Sequence, residues 1–265
     1  MPFIYAISDI HGCYEVFQNT LEKIDLSSKD NQLILCGDYI DYGAESYQVL
    51  NKIQELSILY PNQVIALMGN HEHMFLDFLF CPKDDIWIYE WLKTDLDLLT
   101  IKTFVPPAIL GEIERVKQKA KDEYSYLMEA GTLIRKCILT HHVELIDWLK
   151  QLSYFHETEN QIFVHAGIDE EAGEYWQWGY DNKFFCTKYP HTKGKFSKDI
   201  IAGHIATSTI AGAKDYHQVY WDGQSHFYLD GITIESQIIP ILKYDTITKK
   251  YSSLQKDYPN KWYEY

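Results

Sequence analysis

The chain is poor in arginine, in paired cysteines, in positive charge and in long apolar runs, and each shortage excludes something. Only two arginines, Arg115 and Arg135, occur in 265 residues, and the formal net charge is −14. That balance argues against general electrostatic capture of nucleic acid or of an anionic membrane surface. The five cysteines, at 13, 36, 81, 137 and 186, are odd in number and form no Cys-x-x-Cys pair. Reduced thiols are therefore expected rather than a disulfide framework. No apolar run reaches the ~18 residues that a membrane span needs, and residues 2–8 read as a strand rather than as a signal peptide. With no internal repeat, low-complexity stretch or linker, the expectation is one soluble, cytoplasmic domain over residues 1–265.

What the chain does contain is a set of short polar blocks, each closing an apolar run beside a glycine. They are Ser-Asp-Ile-His-Gly at 8–12, Gly-Asp-Tyr-Ile-Asp-Tyr-Gly at 37–43, Gly-Asn-His-Glu at 69–72, Val-His-Ala-Gly at 164–167 and Ala-Gly-His at 202–204. The first three follow apolar runs at 3–8, 33–36 and 64–68, with amphipathic stretches at 14–25 and 45–59 between them. Strand, polar block and helix in that rhythm predict an α/β sheet with its ligands at the carboxyl ends of strands.

Residues 74–150 break the rhythm and predict a helical insert rich in Trp and Leu (Trp87, Trp91, Leu92, Leu96, Leu98, Leu99). Asp84-Asp85 reads as a helix start. Pro106-Pro107 interrupts the insert, with a charged helix at about 111–129 and another at 142–152. The bland reading of this insert is packing over one end of the sheet; the sharper one is a substrate-selecting cap. From Ile200 onward the alternation (218–221, 226–229, 232–241) predicts an antiparallel second sheet.

The blocks supply Asp9, His11, Asp38, Asn70, His165 and His204, oxygen and imidazole donors of the kind that hold divalent transition metals. Asp9 and His11 are two apart, so in extended chain both point to one side. Asp38, at the end of the next strand, suits a bridge between cations ~3.5–4 Å apart. Asn70, His165 and His204 complete a second site. A mixed N/O set without thiolate favours manganese, with iron or zinc as alternatives, over calcium. Two such cations serve phosphoester hydrolysis. His71, beside Asn70, is placed to protonate the leaving group, and Asp41 to orient His71. His141-His142 reads as surface, and Glu72 as bracing the loop that aims Asn70 and His71.

The ordered blocks resemble the phosphoprotein phosphatase branch of the calcineurin-like metallophosphoesterases, over residues 3–240, with 94–135 least covered. They look closest to small bacterial and phage serine/threonine phosphatases and to symmetrical diadenosine-tetraphosphate hydrolases. The resemblance implies a four-layer αββα sandwich of two mixed sheets. It implies one metal on Asp9, His11 and Asp38, a second on Asp38, Asn70, His165 and His204, and His71 with Asp41 as the acid pair.

Two family arginines that clamp substrate phosphate are replaced, by Tyr42 and, in Trp178-Gly179-Tyr180, by Tyr180. A phenol gives one neutral hydrogen bond where a guanidinium gives a charged, two-pronged one. The expected consequence is a weaker grip on a phosphomonoester, unless Lys183, Lys193, Lys195 or an insert arginine supplies the charge. The first functional reading is a serine/threonine phosphatase-like phosphomonoesterase acting on a phosphorylated protein or small ester. The alternative is a dinucleoside polyphosphate hydrolase or phosphodiesterase. Outside the enzymes, the alternative is a metal-binding regulatory module with little turnover. Neither nucleic acid nor membrane is expected as a partner.

Overall fold

The structure, a computed structural model, describes residues 2–80, 90–94, 98–255 and 258–265. Trp87, Leu96, Cys81 and the Asp84-Asp85 pair lie outside the described residues.

The chain begins with three strands, β1 (Phe3–Ile7), β2 (Gln32–Leu35) and β3 (Val64–Ala66), alternating with α1 (Tyr14–Leu21), α2 (Ser46–Leu59) and α3 (Asn70–Phe80). Helices follow: α4 (Glu90–Thr94), α5 (Leu99–Phe104), α6 (Pro107–Lys119), α7 (Glu123–His141) and α8 (Val143–Leu149). Then come β4 (Phe155–Glu157), β5 (Gln161–Val164), a 3-10 turn (Glu170–Tyr175), α9 (Phe184–Thr187), β6 (Asp199–Ala202) and α10 (Thr207–Ala211). The chain continues through β7 (Tyr220–Trp221), β8 (His226–Tyr228), α11 (Thr233–Ser236), β9 (Leu242–Asp245), β10 (Lys250–Gln255) and β11 (Tyr258–Glu264).

These strands form two mixed sheets, ordered β11-β10-β9-β1-β2-β3 and β4-β5-β6-β8-β7. In the first, β1, β2 and β3 are parallel and β9, β10 and β11 antiparallel. In the second, β5, β6 and β8 run parallel between two antiparallel edges.

Side-chain alternation sorts each strand between two cores. Ile4, Ala6 and Ile34 meet Phe163, Ile201 and Phe227 in an apolar layer between the sheets. Their neighbours Tyr5, Ile7, Leu33 and Leu35 face Phe17, Val49, Ile53 and Phe75 of α1, α2 and α3. On the far side, Ile162, Val164 and Ile200 pack on Trp176, Phe185 and Ile210. The layers are thus helices, sheet, sheet, helices, as the family resemblance implies.

Three local expectations are corrected. The charged helix at 111–129 is two helices, because Pro107 opens α6 and Asp122 caps α7 by accepting from Ser125 N at 2.7 Å. The second sheet is mixed rather than antiparallel, and 232–241 adds no strand to it: Ile232 is left-handed (φ 53) and turns into α11, while β9 joins the first sheet. His141 is exposed as expected, but His142 is half-buried. Its Nε2 pairs with the Phe104 carbonyl at 2.7 Å between the rings of Tyr47 and Phe104.

Candidate metal centre

Parallel strands from both sheets end at one place. β1 leads to Asp9 and His11, β2 to Asp38, β3 to Asn70 and His71, β5 to His165 and β6 to His204. The tips are tight: Asp9, His11, Asp38, Asp41, Tyr42 and His204 all have φ between 47° and 72°. Left-handed conformations at non-glycine residues cost energy and persist where the surroundings over-determine them. The glycines of the blocks allow the close approach. A Cβ on Gly203 would collide with the Asp9 carboxylate, and one on Gly37 (φ 91) would lie 2.9 Å from His165 Nδ1.

Asp38 is the centre of the cluster. Its Oδ2 lies 3.3 Å from His165 Nε2, 3.7 Å from His11 Nε2 and 3.8 Å from His71 Nε2. Ligand atoms of His11, Asp38 and His71 fall within 4.8 Å of one another, as do those of Asp38, His165 and His204, so Asp38 belongs to both groupings. Asp9 Oδ1 is 3.9 Å from His11 Nε2, and the Asp9 carboxylate accepts the His204 amide at 3.2 Å.

Backbone carbonyls aim the imidazoles. His11 Nδ1 pairs with Ile40 O at 2.9 Å and His165 Nδ1 with Cys36 O at 2.7 Å. With Nδ1–H donating to a carbonyl, each ring turns its Nε2 lone pair inward. Asn70 provides the clearest test of what belongs there. The end of its amide facing the cluster is 2.9 Å from His165 Nε2, 3.0 Å from His204 Nδ1 and 3.3 Å from Asp38 Oδ2. An amide NH₂ turned to this side donates to these groups; with the oxygen on this side a cation can sit among them, and the set of carboxylates, imidazoles and one amide fits divalent metal.

The carboxylates and imidazoles of the cluster shift one another. Burial would raise the Asp38 pKa, but His165 and His71 hold it well below the ordinary carboxylate range. Burial would lower His165, but Asp38 raises it to about 10. His204, lowered by burial and by His165, falls to about 4. Burial and the negative charge of Asp230 raise Asp9.

His71 donates from Nδ1 to Asp41 Oδ2 at 2.7 Å, which leaves Nε2 on the Asp38 side. Burial works to lower its pKa, but Asp38 and Asp41 raise it to about 9. The Tyr42 ring stands over this edge, with centroids 4.9 Å from His11 and 5.2 Å from His71. Tyr180 is not part of that group: it stacks on Phe184 at 4.1 Å, on the exposed side of α9. The Cys186 carbonyl of α9 lies 3.3 Å from the Asn70 amide, and Lys183 begins the turn into that helix. Lys193 instead lies over the Tyr220 ring, and Lys195 is exposed. Arg115 is exposed on α6, and the Arg135 guanidinium sits over Phe78.

Three contributors escaped the sequence reading. Asp230, just beyond β8, adds a further carboxylate charge felt by Asp9 and His11. Trp91 and Thr100 hydrogen-bond Asp41. The one sequence signal for Asp230 was its place after an apolar run, beside Gly231.

A family model for calcineurin-like phosphoesterases matches residues 4–216. Among curated proteins, the chain is 30% identical over 166 residues to a symmetrical bis(5'-nucleosyl)-tetraphosphatase of Erwinia tasmaniensis, covering 62% of this chain and 44% of that one. It is 25% identical over 165 residues to the protein of that name from Nitrosospira multiformis, covering 62% and 43%. The chain thus spans less than half the length of these curated relatives. Among solved structures, a cold-active protein-tyrosine phosphatase of a psychrophilic Shewanella shares the fold at TM-score 0.58 and 15% identity, over 99% of this chain and 80% of that one. The chain belongs to the calcineurin-like phosphoesterases.

Proposed function

We propose that this phosphoesterase hydrolyses a dinucleoside polyphosphate, with a serine/threonine phosphoprotein ester as the second reading. The observation that carries the choice is Tyr42. It is 55% exposed and stands on the rim formed by His11 and His71, where the family arginine would bring a permanent charge. A phenol offers a flat face on which a nucleobase stacks and one neutral hydrogen bond. The names of the curated relatives support the nucleotide reading. Tyr180, exposed and stacked on Phe184, is proposed as an outer aromatic surface.

In this reading Asp9, His11 and Asp38 would hold one divalent cation, and Asp38, Asn70, His165 and His204 the other. Manganese suits the donors, with iron or zinc as alternatives. When bound, such a pair neutralises phosphoryl charge and lowers the pKa of water. The chain's own residues supply the proton. His71 keeps Nδ1–H on Asp41 and donates from Nε2 to the leaving oxygen, while Asp41 fixes the tautomer.

Turnover of diadenosine tetraphosphate, a phosphoserine peptide and bis-para-nitrophenyl phosphate with added manganese tests this. The expected result is the highest kcat/KM on diadenosine tetraphosphate, with ADP as the only nucleotide product. A higher kcat/KM on the peptide selects the phosphatase reading. Silence on all three with metal bound selects a regulatory module.

A further inference from the structure

The carboxylate of Asp41 has more partners than an orienting residue needs. Besides His71 Nδ1 at 2.7 Å, Oδ2 accepts the Trp91 indole N–H at 2.8 Å. Oδ1 accepts the Thr100 hydroxyl at 2.6 Å. Ser46 Oγ lies 3.2 Å from Thr100 Oγ1 and accepts the Asp41 backbone N–H at 3.1 Å. Trp91, Thr100 and Ser46 are each at most 1% exposed, and Asp41 is 5% exposed in a left-handed conformation (φ 72).

Two of these donors come from helices outside the polar blocks, Trp91 from α4 and Thr100 from the start of α5. The indole also packs on Phe75 and Phe78, with centroids 4.9 and 5.1 Å away. Both phenylalanines belong to α3, the helix that carries His71. The acid and the carboxylate that orients it are therefore tied to one indole. Thr103, one turn after Thr100, accepts the Tyr47 backbone N–H at 3.1 Å and ties α5 to the start of α2.

We propose that Trp91 and Thr100 are positioning residues for proton delivery: they fix the plane of the Asp41 carboxylate and so the direction of His71 Nε2. The proposal rests on the reading of His71 as the general acid. A carboxylate free to rotate about its χ angles keeps a bond to His71 but not its direction. Two neutral donors on separate oxygens remove that freedom. The helices between β3 and β4 then act on the chemistry through Asp41, besides packing over the sheet.

Two measurements test the proposal, on Thr100→Val, Thr100→Ser, Trp91→Phe and His71→Asn. The first compares kcat on para-nitrophenyl phosphate and on phenyl phosphate, whose more basic leaving group depends more on the acid, with metal content checked by elemental analysis. General-acid assistance is worth on the order of 10² to 10⁴. The expected result is a loss about tenfold larger on phenyl phosphate for Thr100→Val and Trp91→Phe, with KM unchanged, restored by Thr100→Ser and larger still in His71→Asn. Equal losses on both esters in the Thr100 and Trp91 variants, with His71→Asn still selective, overturn the positioning role alone. Equal losses in His71→Asn overturn the acid reading and the proposal with it.

The second measurement needs no turnover. The His71 Nδ1–H proton, followed by NMR in labelled protein, is expected to exchange with water at least about tenfold faster in Thr100→Val than in the parent. Unchanged exchange overturns the proposal. Thr100→Val keeps the shape of the side chain, so it decides the matter if Trp91→Phe fails to fold.

Discussion

At the scale of single residues, Glu72 shows how a side chain outside the ligand set shapes the site. Its two oxygens accept the backbone N–H groups of Asp38, Tyr39, Ile40 and Gly69 at 2.8–3.2 Å. Read from the sequence as a brace for the Asn70 loop, it chiefly holds the loop of Asp38. Burial and Asp38 push its pKa up to about 7, against the hydrogen bonds from the backbone. Glu72→Gln would set an NH₂ group against these donors. Losing charge-assisted bonds of this kind costs about 1.5–3 kcal/mol, so the urea midpoint should fall accordingly without a change in m-value; an unchanged midpoint would refute the brace. The six candidate ligand positions stand out in the sequence because each sits in a local block beside a glycine. Trp91 and Thr100 were not, since they reach Asp41 across 50 and 59 residues of sequence. An indole and a hydroxyl in an amphipathic helix carry no pattern that says which carboxylate they meet.

At the scale of elements, the strand–helix rhythm of the first 80 residues was legible from periodicity, because each strand is buried on both faces and each helix on one. The second sheet was harder to read. Its strands are two to four residues long, and short apolar runs do not announce parallel or antiparallel pairing. The tail had no readable motif, yet β10 and β11 extend the first sheet beyond β9. Alternation assigns faces that mutation can check. Phe163, 2% exposed, points from β5 into the layer between the sheets. Phe163→Ala should cost about 3–5 kcal/mol in chemical denaturation. A loss below about 1 kcal/mol would mean that the inter-sheet layer is not close-packed there.

At the scale of the whole molecule, the two sheets meet where carboxylates and imidazoles crowd together, and folding must hold that charge in place. A cation that binds the folded chain and not the unfolded one stabilises it by about 2.7 kcal/mol at a hundred times its Kd. Manganese should therefore raise Tm in a concentration-dependent way and a chelator should reverse it, with calcium the weaker ion. A Tm indifferent to manganese would contradict the metal reading of the cluster. What the sequence by itself determined is the chemistry: donor types, their order and their attachment to strand ends are properties of short segments. What only the tertiary structure decided is how those segments are aimed. The meeting of β1, β2 and β3 with β5 and β6, the contact of Asn70 with His165 and His204, the Tyr42 ring against His11 and His71, and the grip of two helices on Asp41 are contacts between parts of the chain far apart in sequence. Packing of the layers creates such contacts, and no local pattern encodes them.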